Sequence, residues 1–234
     1  MYLSHKYKFL FLRTPKTASS SLSDFFINNI DDPDAIYTEV EDASIPGTMS
    51  ELIVGKYRPY AFYHFTISQL IAEGVLTLEQ AREYKVFSVL RDPVDRAKSF
   101  YYFYKKFRDV GTPPSIEQYR SWCYPGTAIF NNDNNSGIQQ VALSVHNEEL
   151  LGDFWLYEDL NKEVALFMDS LGLPNAELPQ HKTGLRKDAS KEIVFGHQDL
   201  DNIKHTFGAD VKFYEGLKAN TTKIKWERNI HQLP

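Results

Sequence analysis

Two short apolar runs organise this chain, each followed by a polar turn and then by apolar residues at helical spacing. Lys8 to Leu12 is mostly apolar, the pattern of a strand covered on both faces. Leu22, Phe25, Phe26 and Ile30 then recur at helical spacing, which predicts a helix that begins near Ser19 and is ended by Asp31-Asp32-Pro33. Val86 to Leu90 is the second buried strand, and Pro93 suits the first turn of a helix running to about Arg108. Between these units, Ala61 to Phe65 reads as a strand. Thr66 with Gln69 and Thr77 with Gln80 have capping-box spacing, which places two short helices in 67–84. Phe154 to Tyr157 reads as another strand. Val164, Phe167, Met168 and Leu171 give a helix closed by Gly172 and Pro174, and an amphipathic helical region covers roughly 197–218. Residues 34–56 carry no clear period. Residues 109–136, with Gly111-Thr112-Pro113-Pro114 and Asn131-Asn132-Asp133-Asn134-Asn135, read as a long surface loop of the kind that often carries specificity. Alternating strands and helices predict an α/β fold, with a central, largely parallel sheet flanked by helices. No repeat or linker divides the chain, so residues 1–234 are read as a single domain.

Composition narrows the function. A chain of 234 residues with 42% hydrophobic and 14% aromatic residues can bury a sizeable core. The net charge of −5 argues against a general nucleic-acid binder, which needs a basic face. Any anion site must therefore be a local concentration of positive charge. The single cysteine, Cys123, excludes an internal disulfide and fits a reducing compartment; it reads as a small buried apolar side chain. No run approaches the ~18 apolar residues of a membrane span. Met1 to Lys8 lacks the apolar core of a signal peptide. A cytoplasmic protein is expected.

Both polar turns have the chemistry of anion binding. A strand that feeds a helix through a turn brings several backbone N–H groups to one point, where the helix dipole adds partial positive charge. In Arg13-Thr14-Pro15-Lys16-Thr17-Ala18-Ser19-Ser20-Ser21, Lys16 adds an ammonium and the serines add hydroxyls. The glycine-rich pattern of nucleoside triphosphatases is absent, because the turn contains no glycine. The bland alternative is three serines capping a helix beside a solvated lysine. In the second turn Arg91 ends a buried strand, where a charge is costly unless it finds a partner. Ser99 lies eight positions on, about two helical turns away, so the two can flank one anion. Arginine's planar fork suits phosphate oxygens. Here the alternative is an ion pair between Arg91 or Arg96 and Asp92 or Asp95. Two such turns, about seventy-five residues apart, suggest a ligand with anionic groups at two places.

The first turn resembles the 5′-phosphosulfate loop of sulfotransferases that use 3′-phosphoadenosine-5′-phosphosulfate (PAPS), as written in their carbohydrate branch, R-x-P-K-T-G-S-T/S. Arg91-Asp92-Pro93-Val94-Asp95-Arg96-Ala97-Lys98-Ser99 is similar to the family's 3′-phosphate motif, R-D-P-x-x-R-x-x-S. The order and separation of the two also fit. Tyr157-Glu158-Asp159-Leu160 resembles a later strand-end motif, and Asp210 to Tyr214 resembles the C-terminal helix. The 2-O-sulfotransferases of glycosaminoglycans and their small microbial relatives are the most similar branch. Ala18 departs from the family's usual glycine, which an alanine can replace if the local φ is negative. The resemblance implies a P-loop-like sulfotransferase fold. It implies cofactor contacts from Arg13, Thr14, Pro15, Lys16, Thr17, Ala18, Ser19 and Ser20 to the 5′-phosphosulfate, with Lys16 assisting the leaving group. It implies that Arg91 and Ser99 hold the 3′-phosphate. Arg186 and Lys187, in Gly184-Leu185-Arg186-Lys187-Asp188, resemble the late basic loop that closes over the nucleotide. The product nucleotide would be adenosine 3′,5′-bisphosphate, and the acceptor a glycan or another hydroxyl compound.

Sulfuryl transfer to a hydroxyl needs a base for the acceptor's proton. Among the seven histidines, His64 is the first candidate. It ends a predicted strand just before a capped helix, and a histidine in a similar Tyr-His context is the base in the resembling branch. His5, His181 and His197 rank behind it, and Glu39, Glu41 and Asp42 are the carboxylate alternatives. No histidine pair has ligand spacing with a third partner, so no metal site is expected. A P-loop-type small-molecule kinase would need Mg²⁺ and usually the glycine-rich loop. A catalytically silent nucleotide- or glycan-binding module would not need both Lys16 and His64, and a turnover assay discriminates it.

Overall fold

Alternation along the strands decides which residues face each side of one central sheet. The computed structural model describes residues 1–38, 52–53, 65–107, 142–143, 145, 150–179 and 195–219. Its strands are β1 (Tyr2–Ser4), β2 (Phe9–Phe11), β3 (Ile36–Thr38), β4 (Leu52–Ile53), β5 (Lys85–Leu90) and β6 (Asp153–Leu156), in the spatial order β4-β3-β1-β2-β5-β6. Its α-helices are α1 (Ser19–Asn29), α2 (Ile67–Ala72), α3 (Leu78–Glu83), α4 (Pro93–Phe107), α5 (Leu160–Ser170), α6 (His197–Thr206) and α7 (Gly208–Ala219). This is an α/β architecture.

One face of the sheet is aromatic. Tyr2, Phe9, Phe11, Phe87, Val89 and Trp155 pack against Phe25 and Phe26 of α1 and Val164, Phe167 and Met168 of α5. Phe87 lies at its centre, stacked on Trp155 at 4.0 Å and 5.1 Å from Phe167. Each such ring pair adds roughly 0.5–1.5 kcal/mol beyond the area it buries. The other face is aliphatic: Leu3, Leu10, Leu12 and Val86 meet Ile67 and Leu70 of α2 and Ala81 of α3. Period-two side chains therefore bury both faces, as the apolar runs of β2 and β5 require.

The sheet is mixed, not largely parallel. Among the described residues, β2–β5 and β5–β6 pair in parallel, whereas β1–β2, β1–β3 and β3–β4 pair antiparallel. The antiparallel half escaped the sequence pattern because β1, β3 and β4 have two or three residues each and, unlike β2 within the apolar run Lys8 to Leu12, lie in no longer apolar run. Both capping boxes form as expected, with Thr66 and Thr77 accepting from the backbone N–H of Gln69 and Gln80 while the glutamines reach back. The strand expected at Ala61 to Phe65 lies outside the described residues except for Phe65, which is not in a strand. Tyr157 belongs to a short 3₁₀ turn, Tyr157–Asp159, after β6. The last helical region is two helices, broken at Phe207. Residues 109–136 lie outside the described residues.

A close backbone approach fixes β6 on β5. A Cβ added at Gly152 would collide with the carbonyl oxygen of Val86. Backbone cannot swing aside as a flexible side chain can. Gly152→Ala is therefore expected to destabilise the protein by about 1–3 kcal/mol, read as a lower urea midpoint at unchanged slope. A wild-type midpoint would show that β6 is not held this close to β5.

Candidate functional site

The first turn follows the end of β5 because hydrogen bonds continue past the ladder. Leu12 donates its N–H to the Phe87 carbonyl at 2.9 Å, and Ser88 Oγ donates to the Leu12 carbonyl at 2.9 Å. Thr14 Oγ1 donates to the Val89 carbonyl at 2.7 Å, and Thr17 Oγ1 donates to the Thr14 carbonyl at 2.9 Å. The hydroxyls of Thr14 and Thr17 are thus buried turn supports. Arg13 is also buried, and its Nη2 donates to Ser20 Oγ at 3.0 Å, tying the start of the turn to the first turn of α1. Pro15, Lys16, Ala18 and Ser20 are only half-buried.

Capping by the serines does not occur at the cap position. Ala18 is the N-cap residue of α1 and supplies no side-chain hydrogen bond; Ser19, Ser20 and Ser21 are already inside the helix. The first N–H groups of a helix have no partner within it, so α1 presents its positive end without a side-chain cap. Ala18 is left-handed, at φ 61° and ψ 20°. The negative φ that would make alanine an easy substitute for glycine is not what the turn adopts. Lys16 is left-handed too, at φ 64°. Such conformations cost an L-residue roughly 1–2 kcal/mol.

In the second turn, Asp92 Oδ1 accepts the N–H of Asp95 at 2.8 Å and so caps α4. Arg91 is buried and holds three kinds of partner. Its Nε donates to Asp95 Oδ2 at 2.6 Å, and Nη2 reaches the same oxygen. Its Nη1 donates to the Lys16 carbonyl at 2.8 Å. Its guanidinium carbon lies 4.1 Å from the centre of the Tyr157 ring. The Arg91–Asp95 ion pair weighed from the sequence is therefore present. Asp95 and Ser99 are one helical turn apart on α4 and share a face; Ser99 is half-buried. Arg96 plays a different part. Its Nη1 lies 3.2 Å from Asp210 Oδ2, both residues are buried, and Phe100 and Phe207 flank the guanidinium at 5.4 Å each. This pair docks α7 onto α4. Tyr214, on α7, donates to the Glu158 carboxylate; burial, and that bond, hold its phenol well above its ordinary range. It remains a neutral donor.

The structure thus brings Arg13, Thr14, Pro15, Lys16, Thr17, Ala18, Ser19, Ser20 and Arg91 to one end of the parallel strands, with Ser99 on the helix that leaves it. His64, Arg186, Lys187, His181, Glu39, Glu41 and Asp42 lie outside the described residues. His5 belongs to the other end of β5, where its Nδ1 is 2.7 Å from the hydroxyl of Tyr84. His197 is exposed at the start of α6. Among the described residues, no group of three His, Cys, Asp or Glu side chains is placed to hold a metal ion. No helix among them is long and apolar enough to cross a membrane. Sequence reasoning gave Tyr157 no role at the site; its signal was an aromatic placed directly after a buried strand.

Fold and geometry together define an α/β protein with a candidate anion site at the carboxyl ends of adjacent parallel strands, where open α/β sheets bind ligands. No protein-family model matches the chain, and no curated protein is significantly similar to it.

The left-handed Ala18 makes a testable demand. Glycine relieves the Cβ penalty of roughly 1–2 kcal/mol and returns roughly 0.4–1 kcal/mol through a freer unfolded chain. Ala18→Gly is expected to leave stability unchanged or raise it by up to about 1.6 kcal/mol in urea unfolding. A loss of about 1 kcal/mol, the usual result of Ala→Gly in a right-handed helix, would contradict the turn.

Proposed function

We propose that this chain is a sulfotransferase of P-loop-like type that transfers a sulfuryl group from PAPS to a hydroxyl of a carbohydrate. The observation that carries this reading is the 2.8 Å bond from Arg91 Nη1 to the Lys16 carbonyl. Two turns far apart in sequence adjoin in space, as a ligand with two anionic ends requires. The uncapped start of α1 suits the 5′-phosphosulfate. Arg91 and Ser99, at the end of β5 and on α4, suit the 3′-phosphate. When bound, the nucleotide would supply the sulfuryl group.

In this reading the chain's own residues have separate tasks. The N–H groups at the start of α1 and the hydroxyl of Ser20 would hold the 5′ end. Lys16 would place its ammonium at the oxygen that gains negative charge as the bond to sulfur breaks. His64 would take the acceptor's proton. Arg186 and Lys187 would close over the nucleotide.

Adenosine 3′,5′-bisphosphate is expected to bind at least about tenfold more tightly than adenosine 5′-monophosphate, since a charge-assisted hydrogen bond is worth roughly 1.5–3 kcal/mol. Equal affinities by calorimetry would remove the second anion from the reading.

Two substitutions separate binding from chemistry, assayed with PAPS and a panel of glycans. Lys16→Ala is expected to lower turnover about a hundredfold, from a loss on the order of 3 kcal/mol of charge stabilisation, with little change in the unfolding midpoint. His64→Ala is expected to lower turnover about 10²–10⁴-fold while bisphosphate affinity stays near wild type. Normal turnover in either variant would move that role elsewhere.

A further inference from the structure

We infer that Asp95 is a displaceable counter-ion, a positioning residue that holds the fork of Arg91 until a phosphate takes its place. The inference rests on the reading of Arg91 as a phosphate ligand. It starts from an asymmetry within the Arg91–Asp95 pair. The arginine side chain is 8% exposed and the aspartate side chain 36%. A buried guanidinium is costly without a negative partner. The partner with access to water can leave at far smaller cost.

The geometry gives the exchange a direction. Nε and Nη2 form the edge of the guanidinium that can grip two oxygens, and both now address Asp95 Oδ2. Nη1 is fixed on the Lys16 carbonyl at 2.8 Å, and the Tyr157 ring supports the guanidinium at 4.1 Å. The arginine is thus held on three sides, while Asp95, one turn from Ser99 on α4, is the more accessible partner of the pair. A phosphate shared by Arg91 and Ser99 would lie beside the Asp95 carboxylate, one helical turn from Ser99 on the same face of α4. Two anions cannot share one fork without repulsion, so the carboxylate must swing toward water as the phosphate settles. No covalent step is involved. The aspartate keeps Arg91 aimed and satisfied, at the cost of weaker anion affinity.

Asp95→Asn tests this, with inorganic phosphate as probe at constant ionic strength against a chloride control. The amide keeps the size of the side chain and removes its charge. The variant is expected to unfold at a lower temperature than wild type without phosphate, and to bind phosphate at least about tenfold more tightly by calorimetry. Asp95→Glu, which keeps the charge, is expected to bind phosphate as wild type does. Weaker or unchanged phosphate affinity in Asp95→Asn, or no response to phosphate in either protein, would overturn the inference. The nucleotide reading fails separately. If Asp95→Asn gains phosphate affinity but neither protein distinguishes adenosine 3′,5′-bisphosphate from the 5′-monophosphate, the counter-ion stands and the nucleotide does not. If wild type makes that distinction and Asp95→Asn gains nothing, the reverse holds.

Discussion

A positive charge at the end of an interior strand of the sheet is the constraint around which this molecule is arranged. Arg91 leaves β5 where the apolar sheet stops, and it is buried. Its charge has to be matched inside the protein. Three different elements answer it: Asp95 from α4, the Lys16 carbonyl from the first turn, and Tyr157 from the turn after β6. One side chain thereby fixes three connections relative to each other. The same satisfaction makes Arg91 a poised group and not a reactive one, because an anion must compete with contacts already made.

The first turn is held differently, by backbone conformation and small hydroxyls. Thr14 and Thr17 close it from within and fasten it to β5. Left-handed conformations at Lys16 and Ala18 then bend the chain sharply into α1. Strain of this kind persists only where the surroundings over-determine it. Here the buried Thr14 and Thr17 and the bond from Arg91 to the Lys16 carbonyl do so. The result is a helix start whose N-cap side chain contributes no hydrogen bond.

The sheet supplies the rigidity that both turns need. Its aromatic face locks α1 and α5 through contacts centred on Phe87, and its aliphatic face seats α2 and α3. Phe87 also accepts the hydrogen bond of Leu12, so the residue at the centre of the core is the one that begins to hold the first turn. Packing and site are connected by that carbonyl and by the neighbouring bonds from Ser88 Oγ to the Leu12 carbonyl and from Thr14 Oγ1 to the Val89 carbonyl.

The sequence by itself determined the α/β class, the parallel units that carry the two turns, the two capped short helices, and the residues of both turns. These signals are local: runs of apolar residues long enough to show a period, and caps that act within four residues. It did not determine the antiparallel half, because β1, β3 and β4 are two or three residues long and, unlike β2, sit in no longer apolar run that would announce them. It offered both a phosphate ligand and an ion pair for Arg91, since one guanidinium suits either partner. It also left open the hand of the turn at Ala18, because alanine says nothing about φ until neighbours force it. Only the tertiary structure decided these. Parallel pairing of β2 with β5 carries the first turn alongside Val89 and Arg91. There a buried charge, a carbonyl and a ring converge from segments that no sequence spacing relates.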